Sequence, residues 1–368
     1  MWAAFRGLFA AIAADRAAAL LLFISPVIYA GFYPSAYTDE VVTRAPVVLV
    51  DLDRTAASRN LIVRVDAVQQ AEIVASLPSA GEAELWMADG RAVAAIIVPA
   101  GFGEEIARGT PGTVLLTGHG AYLLRASSAL GGIGAALGQT GRDAAREQAR
   151  AAGPPAPPAL SLVARPLFNT REGYGAAVFP GVAFVIIHQS LLLGLALLAG
   201  TARERMGAGM HVTRSQLAGI ALAAGVIGLV DVGWFVGLVF WWHDYPRAAA
   251  PLVDVAIAAI LFVAATVAAA LALASMFRTR ERPLQLVLPI SLPLFFLGGL
   301  SWPSEATPPV LAALARLFPT SPGLELMVGL NQMGGSLTDY WPAALNLAVL
   351  ALVFGIIATR RWVPRLDR

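Results

Sequence analysis

The chain has 368 residues, of which 57% are hydrophobic and only 14% charged. Soluble domains average about 25% charged residues, and the mean hydropathy of +0.68 points away from a water-covered surface. This composition belongs to an integral membrane protein. No cysteine is present, which excludes disulfides, thiolate metal sites and thiol nucleophiles. All 26 basic residues are arginine. Without lysine there is neither a P-loop nor a Schiff base. Four histidines are too few for a His-rich metal site, and the net charge of +2 gives no nucleic-acid signature.

In chain order, Met1–Ala14 carries Trp2, Phe5, Leu8, Phe9 and Ile12 at helical spacing. It reads as a cytoplasmic interfacial helix over residues 1–16, or as an extension of the span that follows. That span runs over 17–33. Residues 34–175 are polar and hold 12 of the arginines. Here Pro46–Leu52 reads as a strand and Thr55–Val65 as a helix capped by Thr55. Ala92–Val98 is a second strand, followed by a short helix near Phe102–Arg108. Thr113–Leu116 is a third strand, and Tyr122–Ala151 a long helix broken by Gly153–Pro158. Leu160–Leu167 reads as extended. Alternating strands and helices make this a small α/β domain. Five more apolar stretches follow, at 176–199, 217–242, 252–277, 284–300 and 343–359. A bilayer-spanning helix takes about 20 apolar residues.

The arginines orient the chain. With a cytoplasmic N-terminus, inside segments hold 12 arginines and the short outside loops hold Arg247 and Arg316. Both termini are then cytoplasmic, with 364–368 as a tail, and the α/β domain lies outside. The expected fold is an α-helical membrane protein with six transmembrane helices and a large extracytoplasmic α/β domain between the first and second.

Candidate chemistry is sparse. His188 and Asp231 fall near the middle of their spans, where ionisable groups are expensive. They read as a substrate or proton-linked pathway, or as hydrogen bonds that fix packing. Asp254 lies near the outer end of its span. Asp51 and Asp53 form a D-x-D pair, but at a strand-to-helix turn such residues are ordinary caps. Gly131–Gly134 reads as close helix packing and Gly207–Gly209 as a loop. Gly219, Gly225, Gly228, Gly233 and Gly237 would let membrane helices approach one another. No catalytic set and no metal set emerges, so an enzyme is not expected.

The layout resembles the permease subunit of ABC-2 type exporters. Val50–Arg59 (VDLDRTAASR), Ile97–Gly109 (IVPAGFGEEIARG), Phe179–Gly194 (FPGVAFVIIHQSLLLG) and Leu300–Pro319 (LSWPSEATPPVLAALARLFP) resemble family segments in the family's order. Leu330–Gly335 (LNQMGG) resembles a motif of the branch that works beside an HlyD-like membrane-fusion adaptor. The resemblance implies export of a hydrophobic or amphipathic substrate, with ATP and Mg bound by a separate ABC ATPase. It also implies a second permease copy or a paralogue, no cofactor in this chain, and location in a bacterial inner membrane. It places a coupling loop at 200–216, with Arg203, Glu204, Arg205 and Gly207 facing the ATPase. An outer re-entrant region falls at 301–322. Ala202–Arg214 (ARERMGAGMHVTR) departs from the family's R-E-x-E-x-G-T pattern in lacking its second acidic residue and its Gly-Thr pair. The alternative from another class is a membrane-anchored sensor or scaffold, with the α/β domain as a ligand-binding module.

Overall fold

The computed structural model describes residues 1–37, 42–152, 173–207, 210–245, 247, 250–300, 302 and 306–363. The chain divides into two units, Asp39–Arg165 and the remainder (Met1–Thr38 with Pro166–Arg368).

The smaller unit is α/β. Its elements are β1 (Ala45–Asp51), α3 (Ala56–Asp66), β2 (Ala71–Ser76), α4 (Ala80–Ala88), β3 (Ala94–Val98), α5 (Phe102–Ala107), β4 (Leu115–Gly118) and α6 (Leu123–Ala152). α1 and α2 precede them in the other unit. The strand order is β2-β1-β3-β4. β1 pairs in parallel with β2 and β3, and β4 pairs antiparallel to β3. A central parallel strand is covered on both faces, which explains the uninterrupted apolar run of β1. Val47 and Leu49 join one core with Val65, Ile96 and Ile133. Val48 and Val50 join another beside α4, with Ala83 and Ala95. Thr55 caps α3 by accepting from the Ser58 amide at 3.3 Å, as its position predicts. The GGIG run lies inside α6, where a Cβ on Gly132 would sit 2.7 Å from Gln70 and 2.8 Å from Val68. β2 and α4 are elements that the sequence analysis did not anticipate.

The larger unit is helical. α1 (Trp2–Ala14) turns at Asp15 into α2 (Arg16–Ser35). α7 (Tyr174–Met206), α8 (Arg214–Trp242), α9 (Leu252–Ala274), α10 (Arg282–Leu297), α11 (Pro309–Ala315), α12 (Thr320–Met333) and α13 (Trp341–Trp362) follow. Five of these, α2, α7, α8, α9 and α13, are long and apolar enough to cross a membrane. The stretch expected as the fifth span, 284–300, falls on α10, which has 16 residues and carries Pro289 and Pro293 inside it. It is shorter than a full crossing helix. Its neighbours extend its reach: Gly200 abuts Thr279 and Arg280, while Gly181 abuts Leu300. Residues 280–300 therefore run beside α7 from Gly181 to Gly200, 19 residue steps or about 28 Å at the helical rise.

α7 is the hub: 89% of its most apolar stretch is buried, against 28% for α2 and 22% for α13. Phe179 on α7 meets Tyr33, Phe235, Phe240 and Tyr245, and Phe184 meets Phe240 and Phe262. The outer faces of α2, α10 and α13 expose Val27, Ile28, Phe32, Leu288, Leu292, Leu352 and Val353. A surface this apolar needs lipid or protein against it. α1 packs on α8, with Leu8 and Ile12 buried and Trp2 left exposed. Its apolar stripe is thus divided between protein and surroundings.

Small residues act at some of the expected places and not at others. Gly219 lies under the backbone of α1 at Met1, and Gly228 lies against Val263 and Leu191. Gly225, Gly233 and Gly237 have nothing within 4 Å of a built Cβ, so they mediate no helix contact here.

Candidate coupling end and buried polar groups

The four residues assigned to coupling do not share one loop. α7 continues through Met206, so Arg203, Glu204 and Arg205 occupy its last turns and only Gly207 follows it. Gly207 ends the helix with φ +91 and donates its amide to Arg203 O at 2.8 Å. The run carries no helix breaker before Gly207, so nothing in it stops the helix earlier.

Arg203 points inward. Its side chain is buried, and Nη1 donates to Ser275 O at 2.8 Å and Phe277 O at 2.6 Å, beyond the C-terminal end of α9. The guanidinium lies 4.3 Å from the Trp362 ring centroid, and Trp362 Nε1 donates to Leu271 O at 2.9 Å. A cation over an aromatic face and against helix-end carbonyls is favourable twice over. Arg203 therefore ties α7, α9 and α13 together and is not a free docking group. Arg205 is exposed.

A second cluster stands beside it. Asp15 caps α2 by accepting from Ala17 N at 3.0 Å and Ala18 N at 3.2 Å. The same carboxylate takes both terminal nitrogens of Arg280, with Nη2 to Oδ1 at 2.9 Å. Arg280 also donates from Nη1 to Thr201 Oγ1 at 2.9 Å and from its amide to Glu204 Oε1 at 2.8 Å. The hydrogen bond from Arg280, aided by both capping amides, holds the Asp15 carboxyl below its ordinary range, against the opposing effect of burial. The close approach depends on Gly200, whose Cβ would lie 2.5 Å from Thr279 O and 2.9 Å from Arg280 Cα. Asp15 and Arg280 are 265 residues apart, and no local pattern pairs them. Together the two clusters join the α1–α2 corner, the end of α7, the α9–α10 connection and the end of α13. Arg278, Arg282, Arg360 and Arg361 are neighbours of these residues in sequence.

The two intramembrane candidates separate as well. His188 is buried, and its ring lies 3.3 Å (Nδ1) and 3.4 Å (Nε2) from Thr320 Oγ1 at the start of α12. Its partner is a hydroxyl, not Asp231. Asp231 is buried on α8 with Oδ2 unpartnered. A π-helical stretch, Trp234–Val239, begins three residues later; such turns recur at functional sites. Gln189 and the Trp234 indole nitrogen add further unpartnered buried donors and acceptors. Asp254 accepts from Leu337 N at 3.0 Å, which fixes the turn before α13.

The LNQMGG run closes α12. Asn331 and Gln332 are buried, Gly334 takes φ +68, and Tyr340 seats its ring on Gly329 and Gly335. In the α/β unit, the D-x-D pair is filled by its own turn. Asp51 accepts from Asp53 N, Arg54 N and Ser58 Oγ. Asp53 accepts from the Thr55 hydroxyl and from Gly101 N and Gly103 N, both at 3.1 Å. These bonds, the Thr55 hydroxyl foremost, keep the Asp53 carboxyl below its ordinary range. Among the described residues no three His, Asp or Glu side chains gather to hold a metal ion. The Gly153–Pro158 break, the Leu160–Leu167 extended segment, the 364–368 tail, Gly209 and part of the 301–322 region lie outside the described residues.

Five long apolar helices with lipid-ready outer faces define a multi-pass membrane protein. A family model described as ABC-2 family transporter protein matches residues 18–360. The chain belongs to that family, and it is the membrane component, a permease. Permeases of this family normally pair with an ABC ATPase subunit. No curated protein matches the sequence.

Proposed function

We propose that the chain is the membrane half of an ABC exporter that moves a hydrophobic or amphipathic substrate outward. ATP and Mg are handled by a separate ATPase subunit. The observation that carries this reading is the joined arginine-rich end, where Asp15, Glu204, Arg203 and Arg280 link four helix ends. An ATPase pressing there would move α1, α7 and the α9–α10 connection as one body. The arginine distribution supports placing this end in the cytoplasm of a bacterial inner membrane, with both termini inside and the α/β unit outside. Six crossings follow if α10 and its extension to Leu300 complete one. The exposed faces of α2 and α13 suit a second copy or a paralogue, and LNQMGG supports a hand-off to an HlyD-like adaptor.

Asp231, with an unpartnered oxygen inside the helical unit, is the best candidate for a pathway residue, and His188 serves the α7–α12 contact. The test is transport by paired variants in a reconstituted system. Asp231→Asn loses most of the transport while keeping assembly, and Asp254→Asn retains it. Equal transport by wild type and Asp231→Asn would remove Asp231 from the pathway.

The sensor reading has one foothold. A cavity of about 440 Å³ in the α/β unit is floored by Leu61, Phe102 and Leu137 and rimmed by Asn60, Arg64 and Asp143. Family membership favours the exporter.

A further inference from the structure

Between Arg282 and Asp339 the chain holds three charged residues, Glu305, Arg316 and Glu325. Two of them, Arg316 after α11 and Glu325 on α12, line one cavity of about 480 Å³. Its apolar wall includes Leu297 and Leu300, and its polar wall includes Ser321 and Tyr340. Both charged residues are exposed to it, and among the described residues neither side chain has an ion-pair partner. The arginine clusters described above lie toward the Gly200 end. Leu300 meets α7 at Gly181, 19 residues from Gly200, or about 28 Å along the helix. That distance matches a hydrocarbon core of about 30 Å. The cavity thus lies at headgroup depth on the side opposite the arginine-rich end.

The chemistry of the walls restricts the occupant. A simple anion would be repelled by Glu325 and a simple cation by Arg316. A neutral apolar molecule would engage neither charge. A molecule with an anionic group and an ammonium on a short link satisfies both, and an attached acyl chain suits the leucine wall.

We propose that this cavity binds a zwitterionic headgroup of the phosphoethanolamine type, its phosphate on Arg316 and its ammonium on Glu325. Two sources carry that chemistry: a bilayer phosphatidylethanolamine, or a soluble phosphoethanolamine-bearing molecule. Binding is read on this chain alone, so the proposal stands or falls apart from the ATPase reading.

The experiment is native mass spectrometry of the purified full chain in detergent, titrated with phosphatidylethanolamine and separately with phosphatidylglycerol. Phosphatidylethanolamine adducts should appear at about tenfold lower concentration, the scale of one added charge-assisted contact. Glu325→Gln should bring the two lipids to parity, because only the ammonium distinguishes them, while Arg316→Gln should weaken both, because both carry the phosphate. The exchanged pair, Arg316→Glu with Glu325→Arg, should restore the preference, which separates recognition from damage to the fold. O-phosphoethanolamine added as competitor distinguishes the sources: displacement of the lipid adduct assigns a soluble ligand, and no displacement assigns the bilayer lipid. Equal binding of the two lipids by the wild-type chain would overturn the proposal. So would a preference that survives Glu325→Gln, or phosphatidylethanolamine binding unchanged by Arg316→Gln.

Discussion

Removing Asp15 should loosen the arginine-rich end by a predictable amount. The carboxylate does two things in one place: it caps α2 through Ala17 and Ala18, and it grips Arg280 with both oxygens. Loss of an N-cap costs about 1 kcal/mol, with a range of roughly 0.5–2. The pair is unevenly placed, since the Asp15 side chain is 7% exposed and that of Arg280 35%. Solvent and salt reduce the worth of such a pair, so about 1 kcal/mol is assigned to it rather than the figure for a fully buried one. Asp15→Ala should therefore cost about 2 kcal/mol in total, from the cap and the pair. Asp15→Asn keeps a capping side chain and should cost about 1 kcal/mol. Equilibrium unfolding in mixed micelles titrated with SDS gives the comparison. A double-mutant cycle with Arg280→Ala should return a coupling near 1 kcal/mol. The pH dependence has a definite sign. The folded carboxyl titrates below its unfolded value. Its contribution is therefore complete above about pH 4, the ordinary carboxylate range, and fades as the pH falls through the folded value. Additive single variants, with no coupling, would refute the assigned link.

Other outcomes follow from the packing. Gly200→Ala pushes a methyl group into the Thr279 carbonyl and should destabilise by about 1–3 kcal/mol. Gly225→Ala meets open space and should be neutral or stabilising by up to about 1 kcal/mol through helix propensity. A thermal-shift series on the pair decides this, and matched losses would show that the Gly200 contact carries no strain. Arg203→Gln should lower thermal stability, and Arg205→Gln should leave it unchanged, because only Arg203 reaches the α9 carbonyls and Trp362. Asp53→Asn should weaken the α/β unit at neutral pH. The gap from wild type should close on acidification, since the wild-type carboxyl loses its advantage as pH falls through its lowered folded value. Hydrogen exchange of Gly101 and Gly103 amides follows this directly.

Local patterns foretold most of the helices. The apolar stretches at 176–199, 217–242 and 343–359 became longer helices, because charged ends such as Ala202–Met206 continue a helix past the lipid-compatible core. The strand of Pro46–Leu52 was legible because a run buried on both faces has no polar interruption. β2 escaped because AEIVAS is short and only half-buried at the sheet edge. The stretch 284–300 gave a shorter helix than its composition suggests, because Gly298 ends α10 after Leu297 and a count of apolar residues does not register that stop. Within the site, Arg203 and Glu204 were recognisable as charged residues of one segment, but the groups they bond were not. Whether an arginine faces a partner or the carbonyls after Ala274 depends on which helix end stands beside it. Asp15 and Arg280 were invisible for the same reason, as was the joint lining of one cavity by Arg316 and Glu325.

The most direct test of the exporter reading is co-purification of the tagged chain, in mild detergent, with the products of its neighbouring genes, followed by an ATP hydrolysis assay. An ABC ATPase should accompany the wild-type chain. Its hydrolysis should become uncoupled from substrate when Arg280 is replaced by alanine. A chain that purifies alone, with no hydrolysis in the fraction, would contradict the account and favour the sensor or scaffold reading.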